Sequence, residues 1–175
     1  MPFPRPRKLD TESELYEYAI GALGRRMRTV VELKRLLRAR VESDELGQTL
    51  VELIIRRLKD QGYLNDSRYA ATYSTLRRDN EKLGRLRVIT DLKAKGVHGE
   101  VIDKAVTETY SEVNEEKLAR QFLSRKRLQK PRDQKQAARI FRQLARAGFS
   151  AKIIFRILKQ WEVDDEVLAA LGTAD

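Results

Sequence analysis

The chain of 175 residues carries a formal net charge of +10, 41% hydrophobic residues, no cysteine and one histidine. Its length and apolar content allow a buried interior, the missing cysteines exclude disulfides and thiolate chemistry, and one histidine leaves no histidine-containing metal cluster. The basic excess points to a polyanion or an acidic protein surface as partner; with no apolar run near the roughly 20 residues that span a bilayer and no signal-peptide core at the amino terminus, the reading is a soluble cytoplasmic protein.

Residues 1–10 place Pro2, Pro4 and Pro6 among Arg5, Arg7 and Lys8; proline removes backbone donors and fixes φ, so this reads as a flexible basic arm. A first helix opens at Thr11 or Ser13, with Leu15, Tyr18, Ala19, Ala22 and Leu23 on one face. A second begins near Thr29, where Glu32 completes a capping-box pattern, and turns Val30, Leu33, Leu36 and Leu37 inward. After a loop over Glu42 to Gly47, a third runs from about Gln48 to Gln61 with Leu50, Val51, Ile54, Ile55 and Leu58 as its stripe.

The junction Gly62-Tyr63-Leu64-Asn65-Asp66 fuses a stop signal to a start signal. Gly62 suits a left-handed helix end, Tyr63 and Leu64 offer apolar contacts beyond it, and Asn65 or Asp66 can cap the next helix. So short a linker joins repeating units, not independent domains. A fourth helix follows from Ser67 to about Arg78 with Tyr69, Ala70, Tyr73 and Leu76 on its apolar side, and a fifth starts beyond Gly84 with Leu86, Ile89 and Leu92. The sixth runs from His98 to about Glu112; Asn114, Asp133 and Ser150 cap the seventh, eighth and ninth, and a short acidic-led segment from Asp164 to Leu171 adds a turn or two.

Aligning the helix-ending residues Val41, Val97 and Phe149 gives a repeat of about 56 and then about 52 residues. Leu36, Leu92 and Leu144 fall five residues upstream; Leu33, Ile89 and Phe141 fall eight upstream; Val30, Leu86 and Ala138 fall eleven upstream. Downstream, Leu50, Val51, Ile54 and Ile55 match Val101, Ile102, Ala105 and Val106, and then Ile153, Ile154, Ile157 and Leu158. The predicted fold is all-α: three tandem three-helix repeats over residues 11–64, 65–113 and 114–175, forming an elongated, curved array in which units too small to be stable alone share a seam.

These residues resemble the RecX family of bacterial recombination regulators. Gly62-Tyr63-Leu64-Asn65-Asp66, Arg68-Tyr69-Ala70 with Tyr73, Gly84, Leu92-Lys93-Ala94-Lys95-Gly96-Val97 and Ala147-Gly148-Phe149-Ser150 carry the resemblance, which covers about Leu15 to Trp161. The family's usual serine at the second helix's cap is Thr29 here, and the basic run from Arg125 to Lys130 is peculiar to this chain. The resemblance implies a regulator that binds the RecA recombinase filament on DNA, lies in its helical groove and inhibits ATP hydrolysis and strand exchange. It further implies a place in DNA repair and the SOS response, and weaker contacts to single- and double-stranded DNA. A monomer without cofactor is expected.

Candidate contacts to RecA and DNA are Arg25, Arg26 and Arg28 at the end of the first helix, Arg35 and Arg38 on the second, Arg77 and Arg78 on the fourth, and Arg85 and Arg87 on the fifth. The third repeat adds Arg125, Lys126, Arg127, Lys130, Arg132, Arg139, Arg142 and Arg146. A single exposed arginine reads as a solvated helix face. The third-repeat cluster reads as a binding surface, because arginine forks grip phosphates and carboxylates with paired hydrogen bonds. Tyr63, Tyr69, Tyr73 and Trp161 have the chemistry to stack on bases, but beside leucines at helical spacing they read as core. His98 reads as a cap or surface residue, and Asp164, Asp165 and Glu166 as partners of a helix dipole instead of metal ligands. No phosphate-binding glycine loop and no nucleophile beside a base occurs, so no catalysis is expected. The competing reading is a stand-alone DNA-binding protein of helix-turn-helix-like units.

Overall fold

The computed structural model describes residues 7–172, and over them the chain is all helical, with no strand. Ten helices follow in order: α1 (Glu12–Arg25), α2 (Val30–Arg38), α3 (Glu45–Asp60), α4 (Asp66–Glu81), α5 (Arg85–Ala94), α6 (Gly99–Tyr110), α7 (Glu115–Arg125), α8 (Gln134–Arg146), α9 (Ala151–Gln160) and α10 (Asp165–Gly172). The arm expected over residues 1–10 lies outside the described residues as far as Pro6. Its last residues are tied down: the Leu9 amide donates to the Arg40 carbonyl at 2.7 Å, Lys8 Nζ to the Val41 carbonyl at 2.6 Å, and Leu9 joins the apolar interior.

Local chemistry sets most helix starts. Thr11, Thr29, Asn114, Asp133 and Ser150 each accept a backbone N–H from three residues on, and Thr29 with Glu32 forms a complete capping box. The third helix starts earlier than its sequence pattern, because Asp44 accepts from the Gly47 amide and draws Glu45–Gly47 into the first turn. Gly47 reads as a loop residue, but a Cβ there would lie 2.2 Å from the Glu42 carbonyl oxygen, so close packing inside the helix requires it.

The repeat is plain in the burial pattern of the last helix of each set. Leu50, Val101 and Ile153 are half-buried, whereas Val51, Ile54 and Ile55, then Ile102, Ala105 and Val106, then Ile154, Ile157 and Leu158 are buried. Val41, Val97 and Phe149 are buried as well. The middle helices match less closely. Leu33 and Leu37 face inward on α2, Val88 and Leu92 on α5, and Ile140 and Leu144 on α8, so the first set is one residue out of step with the other two. Gly96 and Gly148 end their helices with φ of +76° and +90°, while Arg40 in the corresponding place does not take a positive φ.

Three apolar residues placed inward by sequence pattern are exposed: Leu86 at 49%, Leu76 at 52% and Tyr63 at 58%. On α4 the buried line runs through Tyr69 and Ala70, as expected, and then through Ser74 in place of Leu76, with small side chains at 70 and 74 allowing close approach; on α5 Val88 takes the place expected for Leu86.

Contacts divide the chain into two compact units. The first comprises residues up to Ala70 together with Leu92–Ile102; the second comprises Ala71–Asp91 together with residues from Asp103 onward. In the first, Leu15, Ala19, Leu33, Leu37, Ile54 and Leu58 form the centre of the core. In the second, Phe122 meets Phe149 edge-on at 6.1 Å and Phe141 lies 5.5 Å from Phe155 among buried Leu118, Ile140, Leu144 and Ile157.

Candidate functional site

The second unit holds a cationic pocket of about 430 Å³. Helix α4 supplies Arg77 and Glu81, α5 supplies Arg87 and Asp91, the end of α7 supplies Phe122, Arg125 and Lys126, and α8 supplies Arg139, Gln143 and Arg146. Leu83, Leu128 and Ala147 complete an apolar lining.

Backbone contact fixes two of these walls. The amides of Gly84 and Leu86, at the start of α5, donate to the carbonyls of Ala147 and Gly148 at 2.8 and 3.2 Å, so the end of α8 satisfies donors that α5 leaves open. A Cβ on Gly84 would lie 2.3 Å from the Gly148 oxygen, and one on Gly148 would lie 2.2 Å from the Arg87 amide. Two glycines are therefore required at this crossing.

The cations fall into two groups. Arg77 pairs with Glu81 and stands 4.8 Å from the Tyr73 ring, while Arg87 Nε donates to Asp91 Oδ1 at 2.9 Å and Tyr73 donates its hydroxyl to Asp91 Oδ2 at 3.0 Å. Burial opposes the Arg77 charge, but Glu81 and Tyr73 outweigh it and hold its pKa above the ordinary value; burial pushes the Tyr73 phenol up. Both carboxylates are thus engaged by the α4 and α5 walls. Arg125, Lys126, Arg139 and Arg146, from the end of α7 and from α8, are exposed, and none forms an ion pair among the described residues. The local sequence explains the difference, because Asp133 is the one acid between Lys117 and Phe149 and it caps α8.

The structure therefore brings together Arg77, Arg87, Arg125, Lys126, Arg139 and Arg146 from the sequence-derived set. Arg142 follows Arg139 by three residues on α8 and extends its basic face, and Arg132 precedes that helix. Arg127 ends α7 with φ of +55° and, with Arg120, Ser124 and Trp161, lines a separate pocket of about 510 Å³. Lys130 pairs with Glu162, and Arg85 is an exposed first residue of α5. Arg78 holds the chain together: it donates to both Asp79 oxygens and, at 2.6 Å, to the Thr109 carbonyl.

The remaining candidates lie in the first unit. Arg25 at the end of α1 and Arg26 just after it are exposed, and Arg28 Nε caps that helix by donating to the Ala22 carbonyl at 3.3 Å. Arg35 is exposed, and Arg38 lies 3.6 Å from Glu52. At the junction Gly62 has φ of +73°, Leu64 is buried, Asn65 accepts the Arg68 amide at 2.8 Å, and Asp66 accepts the Val30 amide at 2.9 Å. Glu81, Asp91 and Gln143 lie outside the sequence-derived set; the two acids carry a signal, their four-residue spacing from Arg77 and Arg87, and Gln143 carries none. Among the described residues no group of histidine or acidic side chains is placed to hold a metal, and no helix is long and apolar enough to cross a membrane.

Residues 65–106 match the family described as RecX, second three-helix domain. A relative from Deinococcus radiodurans named Regulatory protein RecX is 33% identical over 165 residues, covering 90% of this chain and 74% of that protein. One of the same name from Pseudomonas putida is 35% identical over 158 residues, covering 90% of this chain and 97% of its own length. Among solved structures, a crystal structure of regulatory protein RecX aligns with a TM-score of 0.69 at 22% identity over 85% of this chain and 71% of that one. The crystal structure of RecX from Lactobacillus salivarius aligns at 0.66, also at 22% identity, over 86% and 96%. The two structures share the fold.

Proposed function

Because the chain belongs to the RecX family of regulatory proteins, we propose that it acts by occupancy on the RecA recombinase filament on DNA, binding in the helical groove and inhibiting ATP hydrolysis and strand exchange. The observation that carries this reading is the family membership, at 33% and 35% identity over nine-tenths of the chain. It fits a monomeric cytoplasmic regulator of recombination and repair that performs no catalysis itself. The exposed, unpaired cations of the third repeat support a role for positive charge in holding DNA phosphates.

A titration of the cognate recombinase's DNA-dependent ATPase tests the reading. Inhibition is expected at protein concentrations too low to coat free DNA; inhibition that appears only on DNA coating would leave a stand-alone DNA-binding protein in its place. For the phosphate contacts, replacing Arg125, Lys126 and Arg127 together by glutamine should lower the salt slope of DNA binding by roughly two to three, one condensed counterion per lost contact. An unchanged slope would take those side chains out of the interface.

A further inference from the structure

The pocket of the second unit has features that an open basic surface lacks. It is concave, its volume of about 430 Å³ falls within the range of small-ligand sites, and cations from four helices line it together with Leu83, Phe122, Leu128 and Ala147. Its six cations and two carboxylates leave a formal charge of +4 (6 − 2), and that excess resides on Arg125, Lys126, Arg139 and Arg146. We propose that this pocket binds a linear di- or triphosphate group, free or carried by a nucleotide, in its metal-free form.

Charge density favours such a ligand over an acidic peptide. Side chains on one side of an extended peptide are about 7 Å apart, so a segment short enough for this pocket brings few carboxylates. Phosphoryl groups joined through bridging oxygens present three or four charges in one compact run, and arginine forks bind their non-bridging oxygens in pairs. The metal-free form follows from the carboxylates. Glu81 is held by Arg77, and Asp91 accepts from both Arg87 and Tyr73, so the pocket offers no unengaged acid to a magnesium ion, while four cations take the place of its charge. The apolar lining gives a nucleotide base somewhere to rest, and the Gln143 amide is part of the same pocket.

Calorimetric titration of the full chain at low salt, without recombinase or DNA, tests this independently of the regulatory reading. ATP and inorganic tripolyphosphate are expected to bind saturably at one site, more tightly than AMP, and excess Mg²⁺ should weaken binding several-fold. The paired change Arg139→Gln/Arg146→Gln should weaken both ligands at least tenfold, whereas Lys104→Gln/Lys117→Gln, which removes equal charge from exposed positions outside the pocket, should change them less than twofold. ATP exceeding tripolyphosphate would assign the site to nucleotides, and equal affinities to the phosphate chain itself. The proposal is overturned by the absence of saturable binding below millimolar, by equal losses in both paired variants, by binding that strengthens with Mg²⁺, or by a glutamate-rich peptide binding more tightly than tripolyphosphate. Thermal melts of both variants confirm that each is folded.

Discussion

The two compact units solve the same problem of joining helices distant in sequence by different means. In the first, beyond the Leu9 amide on the Arg40 carbonyl, side chains make the join: Thr29 Oγ1 accepts the Glu32 amide and donates to the Lys95 carbonyl at 2.7 Å, Lys95 pairs with Glu32, and Asp66 accepts the Val30 amide. In the second, side chains also reach across, Arg78 to the Thr109 carbonyl and Tyr73 to Asp91, but at Gly84 and Gly148 backbone meets backbone. Charge is uneven too, not between whole units but at one stretch of the second. Lys34 and Arg38 share Glu52 and Arg57 pairs with Glu12 in the first unit, whereas the cations at the end of α7 and along α8 have almost no acids among them. A join made by backbone needs no polar side chains, which leaves the surface around it free to concentrate one sign of charge.

The largest effect should come from the backbone crossing. Gly148→Ala combines a left-handed φ of +90° with a Cβ 2.2 Å from the Arg87 amide, and should cost roughly 2–4 kcal/mol in urea unfolding. Gly62→Ala, at φ +73° with no atom within 4 Å of its Cβ, carries the conformational cost alone, about 1 kcal/mol. Equal losses at the two positions would mean that the close approach contributes nothing to stability.

Next in size is the side-chain join. Thr29 is fully buried, and Thr29→Val removes both the cap on α2 and the donor to the Lys95 carbonyl, an expected loss of roughly 1–3 kcal/mol. Thr29→Ser keeps the oxygen and should recover most of that. If serine and valine destabilise alike, packing of the methyl group, not the hydrogen bonds, holds this unit together.

The same division explains what could be read in advance. Caps such as Thr29, Asn114 and Ser150 act within three residues, so they are legible in the sequence, as is the threefold pattern at Val51, Ile102 and Ile154. Burial of Val88 and exposure of Leu86 were not, because the facing of α5 depends on where the Gly84 crossing holds its first turn, and the partner in that crossing, Gly148, is distant in sequence. For the site, the basic composition of the third repeat was plain. Which cations would be engaged within the protein was not, since Lys130 pairs with Glu162 and Arg78 reaches the Thr109 carbonyl only through the fold.

Acidity offers a gentler probe of the first unit. Burial, chiefly, raises the pKa of Asp66 above 3.8 against the lowering pull of the Val30 amide and Lys59, with Glu32 adding to the rise. The folded state therefore holds this proton more tightly than the unfolded chain, so the residue's stabilising contribution is complete below pH 3.8 and is lost as pH rises through its folded value. Asp66→Asn retains an acceptor for Val30 and does not titrate. Its unfolding midpoint relative to the parent protein should rise across that interval and then level off; a relative fall would place the hydrogen bond ahead of burial.

The smallest stability change tests the charge division most directly. Glu52 is half-exposed and holds Lys34 at 2.7 Å and Arg38 at 3.6 Å, so Glu52→Gln should cost no more than about 0.5 kcal/mol, less at high salt. It releases two cations on the first unit without adding any. If unpaired charge near nucleic acid is all that matters, the variant should bind DNA more tightly, with a salt slope steeper by up to about two. If the site lies in the second unit, the slope should stay unchanged, because the freed side chains have no phosphate to meet. A steeper slope in this variant would move the interface to the first unit, and the contrast in charge between the two units would then record only how each is built.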